Sequence, residues 1–151
     1  MIEEVNAAEE SVYFSIFSFT RDDLREALIG RAAAGVEVVG VWDLLGASNR
    51  FSEDEALCAA GIPIKIEDFR GIMHNKFLVI DAEGTAPRVV TGSMNWSTSG
   101  DERNDENTLI VHDGEMTMAY AAGFWELYDV LGEETLCQSG YFAYLPVVVS
   151  R

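Results

Sequence analysis

Three short apolar runs in the first half of the chain constrain its fold more than any other feature. They lie at residues 12–19, 36–42 and 62–66, and stretches whose apolar residues recur at helical spacing separate them. The first run is almost continuously apolar, as expected of a strand that is covered on both faces. Strands that alternate with helices pair in parallel through right-handed crossovers. This half of the sequence therefore predicts an α/β arrangement.

The second half follows a different pattern. Residues 76–81 and 88–92 are apolar runs joined by a short, turn-rich connection, which predicts an antiparallel hairpin. Residues 108–112 predict another strand, and Asp113 can cap a final helix over about residues 115–131. We therefore predict an α/β fold in which a mixed β-sheet is flanked by helices on both faces.

The chain is long enough for one hydrophobic core. With 151 residues and an apolar fraction of 48%, it is predicted to form a single domain over residues 1–151. The main body is expected to cover about residues 2–131. Residues 132–151 are too apolar for a free tail and are expected to pack on the domain.

Local signals predict where the shorter elements begin and end. Thr20 and Ser52 are predicted N-caps, each followed by acidic residues, and Gly35 and Gly61 are predicted to end the two helices that follow. Residues 44–51 contain Gly, Ser and Asn and are predicted to form a loop.

The chain is strongly acidic, with 26 Asp and Glu against 10 Lys and Arg and a net charge of −16. This charge should repel bulk nucleic acid and anionic membranes, so a phosphate-containing substrate would need local cations. A well-solvated surface explains the acidity, and adaptation to a salt-rich cytoplasm is the alternative. No apolar run reaches the ~20 residues of a membrane-spanning helix, and a cytoplasmic location is expected.

The residues with catalytic potential are concentrated between residues 71 and 111. His74 and Lys76 are two positions apart at the start of a predicted strand, so their side chains share one face and can converge on one phosphate. Asp81 has the opposite parity and is predicted to be a turn or structural residue. A histidine can attack phosphorus directly and split a difficult displacement into two easier steps.

Other polar residues can assist such a histidine. The ring nitrogen that does not attack needs an acceptor, for which Glu106 is the best candidate. Lys76 and Asn95 can bind the non-bridging phosphate oxygens. Ser93 has the same parity as Asn95 and is a predicted substrate contact. A nucleophilic role for Ser93 is possible, but no elbow motif surrounds it.

No metal ion or other cofactor is predicted. His74 has no second histidine nearby, since His112 is distant in the sequence. Cys58 and Cys137 lack the spacing of metal ligands; free thiols are the expected state and a single disulfide is the alternative.

Three motifs together carry a family resemblance. They are H-x-K-x4-D at residues 74–81, G-S-x-N at residues 92–95 and N-x-E-N at residues 104–107. This set closely resembles the signature of the phospholipase D superfamily, in its nuclease-type branch, and the resemblance extends to about residue 131. Within the motifs, Gly92 and Asn104, like Asp81, are predicted to be structural.

The resemblance implies metal-independent phosphodiester hydrolysis through a phosphohistidine. It also implies two copies of the motif in each active site, whereas this chain has one. A homodimer is therefore predicted, in which His74 of one subunit attacks and His74 of the other protonates the leaving oxygen. Lys76, Ser93, Asn95 and Glu106 of both subunits would line the site.

The predicted function is that of a nuclease. Two alternatives stay open: hydrolysis of a phospholipid such as cardiolipin, and a catalytically silent dimeric module that binds nucleic acid. The lack of an amphipathic basic face disfavours membrane docking. The presence of all four residues His74, Lys76, Asn95 and Glu106 disfavours a silent site.

Overall fold

The sheet of this computed structural model, which describes residues 1–132, contains six strands. In chain order they are β1 (Ser11–Ile16), β2 (Glu37–Asp43), β3 (Ile64–Glu67), β4 (Lys76–Ile80), β5 (Arg88–Gly92) and β6 (Thr108–Val111). Their order in the sheet is β3-β2-β1-β4-β5-β6. The first three strands are parallel, and β4, β5 and β6 are each antiparallel to their predecessor in that order. The predicted mixed sheet is confirmed.

Within residues 1–132, six helices accompany the sheet. They are α1 (Ile2–Asn6), α2 (Asp22–Ala33), α3 (Leu44–Ala47), α4 (Asp54–Ala59), α5 (Thr98–Glu102) and α6 (Gly114–Val130). Apolar side chains of α1, α2 and α4 pack on one face of the sheet, and those of α6 pack on the other. The prediction of helices on both faces is therefore confirmed as well.

Strand β1 shows why the sequence specifies two covered faces. Phe14 and Ile16 point into the core beneath α2, whereas Tyr13 points to the opposite face and stacks on Phe124 of α6 with ring centroids 5.4 Å apart. Successive residues of a strand point to opposite faces, so a strand that is buried on both faces must be apolar throughout. The almost continuous apolar run in the sequence reflects this arrangement.

The strand directions bring many chain segments to one end of the sheet. The carboxyl ends of β1, β2, β3 and β5 lie there, together with the amino ends of β4 and β6. We call it the Lys76 end, because Lys76 is the first residue of β4. The opposite end, which carries the β4–β5 turn, is called the hairpin end.

Two short helices differ from the expectations. Residues 44–51 do not form a loop throughout, because Asp43 accepts hydrogen bonds from the backbone N–H groups of Leu45 and Gly46 and so starts α3. The short helix α5 was not predicted, although Ser97 caps it by accepting from the N–H of Gly100. Both helices are only four or five residues long, too short to show a helical apolar period.

Two predicted N-caps are wrong. Helix α2 begins after Arg21 and not after Thr20, because the Thr20 N–H donates to the carbonyl of Trp96 at 2.8 Å and keeps this segment extended. Helix α4 begins after Glu53, whose N–H donates to the carbonyl of Phe19 at 3.2 Å; the hydroxyl of Ser52 makes no cap. The predicted cap at Asp113 is confirmed, since its carboxylate accepts from the N–H of Met116 at 2.8 Å.

Two expectations fall partly outside the described residues. Cys58 is disulfide-bonded, which corrects the expectation of a free thiol; sequence spacing could not show which residues approach it in space. Cys137 and the predicted packing of the tail lie beyond residue 132. Within residues 1–132 no helix is long and apolar enough to cross a membrane, and a cytoplasmic location stays a prediction.

Candidate active site

The predicted site residues come together at the Lys76 end of the sheet. His74 lies two residues before the first residue of β4, Ser93 directly follows β5, and Glu106 lies two residues before β6. Strands β4, β5 and β6 are neighbours in the sheet, so these three segments lie side by side. Residues far apart in the sequence thereby form one site.

His74 is exposed, and the residues around it are held in place by the end of β1. The carbonyl of Asn75 accepts a hydrogen bond from the N–H of Phe17 at 2.9 Å, and its side-chain amide donates to the hydroxyl of Ser15 at 3.2 Å. The ring of Phe17 contacts the His74 ring, with centroids 5.0 Å apart. The imidazole thus faces solvent while the backbone beneath it is fixed.

Asp43 holds the same segment from the end of β2. One carboxylate oxygen caps α3, and the other accepts a hydrogen bond from the N–H of Met73 at 2.8 Å. The side chain is almost fully buried. Asp43 was not predicted as a site residue, because its role depends on a contact 30 positions away that sequence spacing does not reveal.

Lys76 provides the cation of the site from a buried position. It is 5% exposed, its ammonium donates to the backbone carbonyl of His74 at 3.0 Å, and its Nζ lies 5.3 Å from the centroid of the Phe17 ring. Burial lowers the pKa of the Lys76 ammonium, while the negative charges of Glu106 and Asp43 partly oppose this shift. His74 and Lys76 both lie near the Phe17 ring, although His74 precedes β4 and strand parity therefore does not place it.

Glu106 bonds to Ser93 and Asn104. The Ser93 hydroxyl donates to one carboxylate oxygen, and the Asn104 amide donates to the other at 3.1 Å. Hydrogen bonds from Ser93 and then Asn104 are the main causes that lower the pKa of the Glu106 carboxyl, and the charges of Lys76 and His74 act in the same direction. Within residues 1–132 the expected hydrogen bond from the His74 ring to Glu106 is not present, and the two Glu106 oxygens accept from Ser93 and Asn104.

Gly92 allows the Ser93 segment to approach the segment before β6. Its φ angle is +151°, and a Cβ atom there would lie 2.1 Å from the carbonyl oxygen of Asn107. The Ser93 N–H donates to the backbone and side-chain oxygens of Asn107, each at 3.1 Å, and the Asn107 N–H donates to Ser93 Oγ at 3.1 Å. Asn107 is a second residue that the sequence-based assignment missed, although it lies inside the third motif.

Asn95 contributes a polar group with no partner. Its side-chain oxygen is buried and accepts no hydrogen bond from residues 1–132. An unpaired buried acceptor costs free energy, so its presence is typical of a site that a ligand completes. The backbone holds the residue in place, since the Asn95 carbonyl accepts from the N–H of Ser97 at 2.8 Å.

Asp81 lies away from these residues, at the hairpin end. Its carboxylate accepts hydrogen bonds from the backbone N–H groups of Glu9, Glu10 and Ser11 at 2.8–3.2 Å. It also pairs with Arg88 at 3.2 Å, with both side chains almost fully buried. Asp81 therefore joins the chain before β1 to the β4–β5 turn and takes no part in the site.

The site offers an exposed imidazole, a buried ammonium, a hydroxyl and an ionised carboxylate. Within the described residues, no group of three or more His, Cys, Asp and Glu side chains is arranged to hold a metal ion. Phosphate oxygens are bound well by ammonium and hydroxyl donors, and an imidazole can act as a nucleophile or a general acid. These groups suit the displacement of an ester oxygen at phosphorus.

Comparisons with known proteins agree with this geometry. Residues 1–128 match the family model described as "Cardiolipin synthase, PLD-like domain". The chain is 34% identical over 117 residues to a phospholipase D of Rickettsia conorii, covering 78% of this chain and 56% of the relative. It is 33% identical over 134 residues to a mitochondrial cardiolipin hydrolase of Xenopus laevis, covering 85% of this chain and 61% of the relative.

Two solved structures share the fold. Nuc of Salmonella typhimurium, a phospholipase D family member, superimposes with a TM-score of 0.82 at 23% identity, covering 91% of this chain and 88% of that one. NucT of Helicobacter pylori gives a TM-score of 0.77 at 25% identity, covering 91% and 87%. The chain therefore belongs to the phospholipase D superfamily, and its fold is that of Nuc. It spans only 56% and 61% of the length of the two sequence relatives named above.

Proposed function

We propose that this chain is a metal-independent phosphodiesterase that acts on nucleic acid through a covalent phosphohistidine. The observation that supports this proposal best is that an exposed His74 lies two residues from Lys76, whose buried ammonium donates to the His74 carbonyl. The nucleophile is accessible, and the cation lies where it can neutralise a phosphate. Among relatives, the fold match to Nuc and NucT favours nucleic acid as the substrate.

In the first step, a ring nitrogen of His74 attacks phosphorus and a P–N bond forms as the bond to the leaving oxygen breaks. Lys76 and the Asn95 amide bind the non-bridging oxygens, where negative charge accumulates, and Ser93 joins them when its hydroxyl turns from Glu106 to the phosphate. Before substrate binds, Glu106 accepts the Ser93 hydroxyl proton and holds this side chain at the site. The leaving oxygen needs a proton, and His74 of the same subunit cannot supply it while acting as nucleophile.

A homodimer provides the missing acid. His74 of a second copy, placed across a two-fold axis, protonates the leaving oxygen. In the second step the same imidazole removes a proton from water, which attacks the phosphohistidine and releases the phosphate monoester. The chain contains one H-x-K motif, so one subunit supplies only half of these groups.

Lipid hydrolysis is the second candidate. It is favoured by the names of two relatives, a phospholipase D and a mitochondrial cardiolipin hydrolase, and of the family model. The net charge of −16 opposes approach to an anionic bilayer and to nucleic acid alike, so it does not discriminate between the two substrates. The lack of an amphipathic basic face is the argument against docking on a membrane. The third candidate is a module that binds nucleic acid without cleaving it. In that case no diester should be turned over.

A substrate panel in EDTA tests these alternatives. Wild type and His74→Ala are incubated with a chromogenic phosphodiester, single- and double-stranded oligonucleotides, and cardiolipin vesicles. We expect EDTA-resistant cleavage of the chromogenic diester and the oligonucleotides, and none by His74→Ala. A requirement for divalent metal would contradict the phosphohistidine mechanism, cleavage of vesicles alone would favour the lipid, and absence of all turnover would favour the binding module.

The dimer is tested separately by solution mass. Light scattering of the active protein is expected to give twice the mass of the chain, and activity per subunit should fall on dilution below the dissociation constant. Quenching with an alkaline denaturant during turnover should trap a phosphohistidine on wild type, which later acid treatment releases, and none on His74→Ala. A fully active monomer would contradict the shared site.

A further inference from the structure

A cleft lies beside the proposed catalytic residues, with a volume of about 590 Å³. The cleft is lined by the segment after β1, the segment between α3 and α4, and the start of α5. Its lining residues include Ser18, Asn49, Phe51 and Ser97. This volume falls within the range of ligand-binding pockets. None of the roles assigned to His74 and its neighbours uses these residues.

Two chain segments link the lining of the cleft to the residues of the site. Ser18 directly follows Phe17, whose ring contacts His74, and its carbonyl accepts a hydrogen bond from the N–H of Trp96 at 3.0 Å. Trp96 in turn directly follows Asn95. The cleft and His74 thus lie at the same end of the sheet, the Lys76 end.

Phe51 and Arg50 form an exposed pair at the cleft. Phe51 is 61% exposed, and the Arg50 guanidinium lies 4.3 Å from the centroid of the Phe51 ring. Within residues 1–132, Arg50 makes no ion pair and no side-chain hydrogen bond. An aromatic ring and an unpaired guanidinium at one place offer a stacking surface and a phosphate contact.

The acidic residues of the cleft already have a cationic partner. Glu53 and Asp22 both line it and share Arg25, at 2.7 Å and 3.3 Å respectively, so one guanidinium offsets part of their charge. Among the residues that line the cleft, Arg50 is the cation. The remaining lining is mainly hydroxyl and amide groups, which suit a sugar and the polar edges of a base and do not suit an acyl chain.

We propose that this cleft binds the nucleotide next to the scissile phosphodiester and that Phe51 stacks on its base, so that the site prefers single-stranded nucleic acid. Arg50 contacts the adjacent phosphate. In a duplex each base is stacked and paired within the helix, and its face is not available to a protein side chain. This inference rests on the proposed nuclease function and adds the form of its substrate.

The test compares Phe51→Ala with wild type on three substrates: a chromogenic phosphodiester too small to fill the cleft, a single-stranded oligonucleotide, and the matching duplex. We expect kcat/KM for the single strand to fall about 10- to 100-fold, as for loss of one base–aromatic stack. Turnover of the chromogenic diester and the duplex should be unchanged. Phe51→Trp should retain the preference for the single strand, and Arg50→Ala should weaken single-strand binding and reduce its dependence on salt.

Met116→Ala is the matched control, since Met116 is exposed and lies in the first turn of α6, away from the Lys76 end. If Phe51→Ala lowers kcat/KM equally for the single strand and the duplex, the proposal is overturned. It is also overturned if Phe51→Ala loses binding to vesicles while its binding to the oligonucleotide is unchanged. Fluorescence anisotropy of a labelled oligonucleotide measures its binding without turnover when His74→Ala is also present in the protein and in its Phe51→Ala variant. If wild type cleaves no diester, the nuclease function fails, while this binding comparison still decides whether Phe51 contacts a single strand.

Discussion

Asp43 accepts a 2.8 Å hydrogen bond from the backbone N–H of Met73, the residue before His74. Its other oxygen accepts from the N–H of Leu45 at 2.8 Å, so one buried carboxylate fixes both the start of α3 and the approach to the proposed nucleophile. Both carboxylate oxygens are needed for these two tasks. Asp43 is therefore a positioning residue that touches no reacting atom.

Replacing Asp43 by Asn should lower kcat more than it changes KM. The amide retains one acceptor oxygen, so either Met73 or α3 loses its hydrogen bond, and a small displacement of His74 is expected to cost about 10- to 100-fold in rate. Asp113→Asn is the control, because Asp113 also caps a helix but does so at the hairpin end. Unchanged kcat in Asp43→Asn would contradict the positioning role.

Removing the Asp81 carboxylate should destabilise the fold without impairing the chemistry. Asp81→Ala leaves three backbone N–H groups unpaired and Arg88 without one of its two carboxylate partners, which should cost about 3–5 kcal/mol in urea unfolding. Turnover per folded molecule should be unchanged. Glu4 is the other carboxylate partner of Arg88 and is more exposed than Asp81. Glu4→Gln should therefore lower the free energy of unfolding by less than Asp81→Ala. A loss of kcat in fully folded Asp81→Ala would place Asp81 in the reaction.

Gly92→Ala should disrupt the Ser93 segment. The added Cβ would lie 2.1 Å from the Asn107 carbonyl oxygen, and the φ of +151° is unfavourable for alanine, so we expect a stability loss above ~1 kcal/mol and a large fall in turnover. Gly123→Ala is the matched control: Gly123 lies inside α6 with no atom within 4 Å of the new Cβ, and the change should stabilise by up to ~1 kcal/mol. Equal effects of both substitutions would contradict the close approach at Gly92.

The Glu106 carboxyl should titrate below the ordinary range of a glutamate. Hydrogen bonds from Ser93 and Asn104 lower its pKa, so the folded chain binds a proton less readily than the unfolded chain. The resulting stabilisation is present above the unfolded pKa and is lost as the pH falls through the folded pKa. Ser93→Ala should raise the pKa of Glu106 and so reduce the acid-side loss of stability, which carboxyl NMR and urea unfolding at several pH values can measure. Ser99→Ala, in the cleft wall, should leave that pKa unchanged.

Strand-forming segments and the family motifs were predictable because their signals are local. The apolar runs specify which strands are covered on both faces, and the turn-rich connection before Arg88 specifies an antiparallel pair. Asp81 was predicted from strand parity to be a structural residue, and in the structure it lies at the opposite end of β4 from His74. These features depend on neighbours within a few positions, which a single sequence displays directly.

Contacts between distant segments were not predictable in the same way. Asp43 reaches Met73 across 30 positions, and Glu106 bonds to Ser93 across 13, whereas we had expected it to accept from His74. Which acceptor a donor finds depends on how the connections fold at the Lys76 end. The same reason explains the two wrong caps, since tertiary contacts hold Thr20 and Glu53 outside their helices.

The two lysines of this chain are both buried. Lys65 is 3% exposed, and its ammonium donates to the carbonyls of Tyr128 and Leu131 at 3.1 and 2.8 Å; Lys76 is 5% exposed. The molecule therefore presents no lysine side chain on its surface for conventional amine coupling. Acylation of either lysine would therefore require the surrounding segments to open first, so its rate would report local opening of the fold.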